Sequence, residues 1–105
     1  MNHKKILVVD DDALVLKAVA RDLRIAGWEP VLSTLPVNPV SEDVVLADWN
    51  PYGPKMVELA KRWNVPVVVF TAEPEWVPPG LAVVTKPWKS EELQVALCAA
   101  ITTRR

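Results

Sequence analysis

A doubly wound α/β fold, built on a parallel sheet, is what this chain of 105 residues predicts, and three observations predict it. Strand-like runs alternate with segments of helical periodicity, the pattern of a parallel sheet with right-handed crossovers. The stronger runs are short, continuous and rich in Val and Leu, which suits strands buried on both faces. They also end on polar residues: Asp10 and Asp11 close KILVVDD, Asp48 closes DVVLAD, Thr71 closes VPVVVFT, and Lys86 with Pro87 closes LAVVTKP. In a parallel sheet the C-terminal strand ends share one edge. These side chains therefore gather where such folds bind ligands.

The elements follow in order. The first strand precedes a helix over 13–26, which Asp12 can cap and Gly27 can end, with Val15, Val19, Leu23 and Ala26 on the face toward the sheet. Leu14 and Leu16 lie off that stripe. Residues 29–33 form a weaker strand, and 43–48, 65–70 and 81–85 stronger ones. A short helix over 55–63 places Met56, Leu59, Ala60 and Trp63 on one side. Ser90 caps a last helix through about Thr103, which buries Leu93, Leu97, Ala100 and Ile101. Cys98 falls in the apolar pattern of that helix and is expected to be a packed thiol; standing alone, it can form no intramolecular disulfide.

Two connections break the alternation. Residues 34–42 carry Pro36 and Pro39, and residues 72–80 carry Pro74, Pro78 and Pro79, so neither can hold more than a turn of helix. The sheet is thus expected to have two helices fewer than a full doubly wound pattern supplies.

Composition sets the outer bounds. A length of 105 residues predicts one domain over 1–105, and half of the residues are hydrophobic, as in an ordinary globular domain. A net charge of −1 gives no electrostatic footprint for nucleic acid or an anionic membrane. The longest apolar run, 65–70, is too short to span a bilayer, and the four apolar residues before Asp10 make no signal peptide. Cytoplasmic residence is the expectation.

The polar edge has a definite chemistry. Carboxylates pushed together repel, and protonation or a bound cation relieves them. Oxygen ligands suit Mg²⁺, with Mn²⁺ a possible substitute: Asp10 or Asp11 with Asp48 would supply carboxylates, and a backbone carbonyl near Asn50 one more oxygen. No His or Cys lies nearby in sequence to favour Zn²⁺. Lys86 as a point charge and Thr71 as a hydroxyl donor suit a phosphoryl group. Asp48 is the best nucleophile candidate, since carboxylates form aspartyl phosphates. Singly these residues mean little, because Asp at a strand end or before a helix is usually turn or capping chemistry. The ordered set is specific.

That set resembles the receiver domain of response regulators over nearly the whole chain. ILVVDDD resembles its first strand and acidic pair, VVLADWN its phosphoacceptor strand, VVVFTAE its Thr strand and VVTKPW its Lys-Pro strand. The resemblance implies a CheY-like, flavodoxin-like sheet of five strands in order 2-1-3-4-5. It implies metal binding at Asp10, Asp11, Asp48 and the Asn50 carbonyl, phosphorylation of Asp48, and phosphoryl contacts from Thr71 and Lys86. A cis Lys86–Pro87 bond is also implied, and Asn50 and Glu73 would tune hydrolysis of the acyl phosphate. The partners implied are a sensor histidine kinase or histidine phosphotransfer protein and a downstream protein target. The chain would promote its own phosphorylation and would not be a turnover enzyme.

The departures from the family pattern are equally specific. Its second and fourth helices fall on the proline-broken segments, its aromatic switch position is Val83, and its proline four residues after the phosphoacceptor is displaced to Pro51. Trp76 and Trp88 stand close to this altered face, either as packing or as a partner contact or substitute switch. Leu14 and Leu16, beside the acidic pair, are candidates for docking the phosphodonor. The leading expectation is a stand-alone receiver. The alternatives are an interaction module indifferent to phosphorylation and an excised domain of a longer regulator. An Asp-nucleophile phosphohydrolase is the enzyme competitor, but Asn50 cannot serve as its general acid.

Overall fold

The strand-forming runs assemble into a single all-parallel sheet in a computed structural model that describes residues 4–102. Its strands are β1 (Lys5–Val9), β2 (Glu29–Ser33), β3 (Val44–Asp48), β4 (Val67–Thr71) and β5 (Ala82–Thr85), in the order β2-β1-β3-β4-β5. Three helices connect them: α1 (Ala13–Ile25), α2 (Gly53–Arg62) and α3 (Ser90–Thr102). Thr103 lies outside the described residues. The chain leaves β1 toward β2 and returns on its other side as β3. The crevice between the ends of β1 and β3 is the switch point of the fold.

Period-two alternation sends the residues of β1, β3 and β4 to two cores, while the edge strand β2 contributes to neither. Ile6, Val8, Leu46 and Phe70 meet Leu16, Val19 and Leu23 of α1 and Leu93 and Leu97 of α3 on one face. Leu7, Val9, Val45 and Ala47 meet Met56, Leu59 and Ala60 of α2 on the other. Both faces are covered, so β3 is buried along its whole length.

The helix faces depart from expectation in four places. In α1 the buried stripe is Leu16, Val19, Ala20 and Leu23, so Leu16 belongs to the core, while Ala26 lies beyond the last turn as its exposed C-cap. Val19 and Leu23 are common to both stripes, and the buried face is turned by roughly 55°, about half a residue, from the predicted one. Leu14 does stay outside, 77% exposed. Trp63 follows the last residue of α2 and is 42% exposed, because the chain turns away there through Asn64 at φ 56°. Cys98 is exposed: Leu93 and Leu97 face inward, and one further residue carries it round to solvent. Ser90 begins α3 and its hydroxyl donates to Asp22 at 3.1 Å; the Lys89 carbonyl accepts the first helical bond, from Leu93.

The two proline-broken segments behave as predicted. Residues 34–42 hold no helix, and residues 72–80 hold one 3₁₀ turn, Pro74–Trp76, with Trp76 exposed. Among the described residues no helix is long and apolar enough to cross a membrane.

Helix α2 starts two residues before the predicted position, with Gly53 and Pro54 in its first turn, where proline's missing N–H costs nothing. Gly53 is buried against the Trp49 indole, and a Cβ there would overlap the ring. Gly53→Ala is therefore expected to displace Trp49 and destabilise the fold by about 1–3 kcal/mol, the usual range for overpacking. A lowered urea midpoint at unchanged slope would register it; an unchanged midpoint would show that the ring moves freely.

Candidate functional site

Each site residue is held by the strand that ends beside it. Asp10 follows β1, and its backbone N–H donates to the Ser33 carbonyl at 3.1 Å. Its Oδ1 accepts from the Asp12 N–H at 2.9 Å, and Asp12 Oδ1 in turn accepts from the Leu14 N–H, also at 2.9 Å. Two successive side-chain turns thus carry the chain from strand into helix. They leave Asp10 buried and Asp11 exposed.

Asp48 is the last residue of β3, paired in register with Phe70 and almost buried. Thr71 ends β4 and is buried; its Oγ1 accepts from the Glu73 N–H at 3.0 Å, and its carbonyl accepts from the Lys86 N–H at 2.8 Å. That last bond brings the residue after β5 into the crevice. Lys86 Nζ donates to Asp10 Oδ2 at 2.8 Å and to Asp48 Oδ1 at 3.2 Å. It also sits 4.6 Å from the centroid of the Phe70 ring. The Lys86–Pro87 bond is cis, as expected, and so is Asn50–Pro51, which was not anticipated.

One carboxylate oxygen from each of Asp10, Asp11 and Asp48 lies within 4.8 Å of the others. Asn50 occupies the turn just after β3. Burial raises the Asp48 pKa above the ordinary aspartate value; the Lys86 charge opposes this, and the charges of Asp10 and Asp11 reinforce it. For Lys86 burial pulls downward, but the hydrogen bond and charge of Asp10, followed by those of Asp48, outweigh it and leave the pKa raised. One ammonium facing three carboxylates leaves the crevice negative. The all-oxygen donor set fits a hard divalent cation such as Mg²⁺ or Mn²⁺.

The residues singled out from strand ends, Asp10, Asp11, Asp48, Thr71 and Lys86, converge on one crevice. The sequence reading missed Phe70. Its signal was present, since a residue next to the strand-terminal Thr of a fully buried strand must pack beneath the edge. It also missed the partner of Trp88, whose ring lies 5.2 Å from that of Phe70 and whose Nε1 donates to Asp22 Oδ2 at 2.6 Å. Nothing local in sequence links positions 22 and 88.

No family model matches the chain. The phosphate regulon transcriptional regulatory protein PhoB of Pseudomonas aeruginosa is 31% identical over 121 aligned positions, which cover 96% of this chain and 53% of that protein. The chain therefore spans about half the length of that curated relative. A response regulator receiver domain protein from Clostridium thermocellum superposes with a TM-score of 0.81 at 24% identity, covering 94% of both chains. The N-terminal signal receiver domain of a two-component system response regulator from Bacteroides fragilis gives 0.76 at 26% identity, covering 95% of this chain and 98% of its own. Chemotaxis protein CheY4 of Vibrio cholerae gives 0.72 at 20% identity, covering 94% and 99%.

Proposed function

This chain belongs to the receiver domains of response regulators, and from that premise we propose that Asp48 accepts a phosphoryl group from a phosphohistidine during two-component signalling. The observation that carries the proposal is the Lys86 ammonium bridging Asp10 and Asp48 at the switch point of the sheet, next to Thr71. A carboxylate oxygen of Asp48 attacks phosphorus, forming a P–O bond as the P–N bond to the donor imidazole breaks. Lys86 offsets charge on the phosphoryl oxygens from its place above the crevice. The Thr71 oxygen already accepts the Glu73 N–H, so its own proton is left to donate to a phosphoryl oxygen. Asp10, Asp11 and Asp48, with the Asn50 backbone carbonyl, would hold Mg²⁺ or Mn²⁺. When bound, the ion supplies charge neutralisation at those oxygens.

The donor is a sensor histidine kinase or a histidine phosphotransfer protein in the cytoplasm, and the phosphorylated domain, residues 1–105, is read by a protein target. The chain turns over its own acyl phosphate and is not an enzyme on external substrates; direct binding to nucleic acid and insertion into a membrane form no part of the proposal. Incubation with Mg²⁺ and acetyl phosphate is expected to add one phosphoryl group by intact mass, and EDTA to suppress it. An unmodified mass with Mg²⁺ present would reject the reading.

A second reading has its own observation: the single 3₁₀ turn at Pro74–Trp76, where the family resemblance predicts a helix, together with Val83 at the aromatic switch position. On it, the partner binds regardless of phosphorylation. Partner affinity measured with and without the modification separates the two, because a modification without differential affinity shifts no equilibrium.

A further inference from the structure

Two tryptophans tie α1 and α3 together in reciprocal fashion. Trp28, just beyond the end of α1, donates from Nε1 to Gln94 Oε1 of α3 at 2.7 Å. Trp88, just before the start of α3, donates from Nε1 to Asp22 Oδ2 of α1 at 2.6 Å. Only the second reaches toward the crevice. The Trp88 ring lies on Phe70 at 5.2 Å and 55° between ring planes, and Lys86 Nζ lies over the same Phe70 ring at 4.6 Å. Asp22, Trp88, Phe70 and Lys86 thus form an unbroken series of contacts from a helix on the face of the sheet to the acidic cluster.

Each contact in the series has directional content. The Asp22 carboxylate accepts from both Trp88 and the Ser90 hydroxyl, so it fixes the indole and the start of α3 at once. The indole limits where the Phe70 ring can lie, since tilted aromatic pairs hold preferred separations. Phe70 in turn presents its ring to the ammonium. Lysine has a long flexible stem and a point charge, so it carries little directional preference of its own. Something other than its two carboxylate partners must limit where it rests when those partners are engaged elsewhere.

We propose that Trp88, anchored by Asp22, is a positioning residue for Lys86, acting through the Phe70 ring to hold the ammonium over the acidic crevice. The consequence for phosphoryl chemistry rests on the function proposed above; the positioning itself does not. A shift of about 1 Å at a charge-stabilising group can cost up to about a hundredfold in rate.

The test uses the full chain and two independent readouts. In wild type, the Phe70 ring, 4.6 Å from Lys86 Nζ, is expected to shift the Lys86 ε-methylene proton resonances upfield. Trp88→Ala and Asp22→Leu are expected to move those resonances toward the free-lysine position, while Asp22→Asn, which keeps an acceptor oxygen for the indole, preserves them. Phosphorylation by acetyl phosphate and Mg²⁺ is expected to slow on the order of tenfold in the first two variants and to recover in Asp22→Asn. Trp88→Ala combined with Asp22→Leu should be no slower than either alone, as expected of residues acting in one series. If the variants lose thermal stability while the Lys86 resonances and the rate per folded molecule stay at wild-type values, Trp88 is ordinary packing and the proposal is overturned. If wild type takes no phosphoryl group while the Lys86 resonances still follow Trp88 and Asp22, the positioning stands and the function proposal is the one that falls.

Discussion

Asp48→Asn is expected to abolish the phosphoryl adduct while leaving a folded and somewhat more stable protein. The amide lacks the ionised oxygen proposed to attack phosphorus, so modification at this position should fall by roughly a hundredfold or more, about 3 kcal/mol of barrier. The stability change runs the other way. Burial raises the Asp48 pKa in the fold above its unfolded value, so ionisation at neutral pH favours the unfolded chain. That penalty is absent below the unfolded pKa and becomes complete once the pH has risen through the folded one. Asn removes it, so the variant should exceed wild type in urea midpoint at pH 7, with the difference shrinking as the solution is acidified. An adduct forming on Asp48→Asn at the wild-type rate would place the nucleophile elsewhere.

Lys86→Met should cost both chemistry and stability. It removes the cation hydrogen-bonded to Asp10 and Asp48 and leaves the almost fully buried Asp10 beside Asp48 without a counter-charge. Breaking a buried pair by removing one partner costs about 3–5 kcal/mol, and the lower end applies because part of the lysine remains in contact with solvent. The Lys86 pKa is raised in the fold, so its contribution is present throughout neutral pH and is lost only as the pH rises through that raised value. A divalent cation bound by the same carboxylates would replace the missing charge. The deficit in urea unfolding should therefore shrink as Mg²⁺ is titrated in, and Mg²⁺ should stabilise the variant more than wild type. Equal Mg²⁺ stabilisation of the two would separate Lys86 from the cation site.

The strands and the crevice were legible for a common reason. A strand buried on both faces must be apolar along its length, so a polar residue marks its end, and parallel strands bring those ends to one edge. Asp10, Asp48, Thr71 and Lys86 were readable on that ground, as were the prolines that exclude helix over 34–42 and limit it to one turn over 72–80. Helix faces were less legible. Leu16 and Val15 are neighbours on α1, and an apolar residue at each leaves the edge of the stripe undetermined; in the packed core Leu16 is buried and Val15 only partly so. Trp63 and Cys98 satisfied helical spacing, yet Trp63 is 42% exposed and Cys98 is exposed.

The sequence by itself determined the five-stranded parallel architecture, the shortened connections and the set of charged residues at one edge, because these follow from local preference and from the burial rule for strands. Only the tertiary structure decided which carboxylates share the Lys86 ammonium, that Phe70 lies beneath it, and that Asp22 holds Trp88 from 66 positions away. Those pairings depend on distances between elements remote in sequence. They are fixed when the two cores pack and the helices settle, a step to which no single segment's periodicity has access.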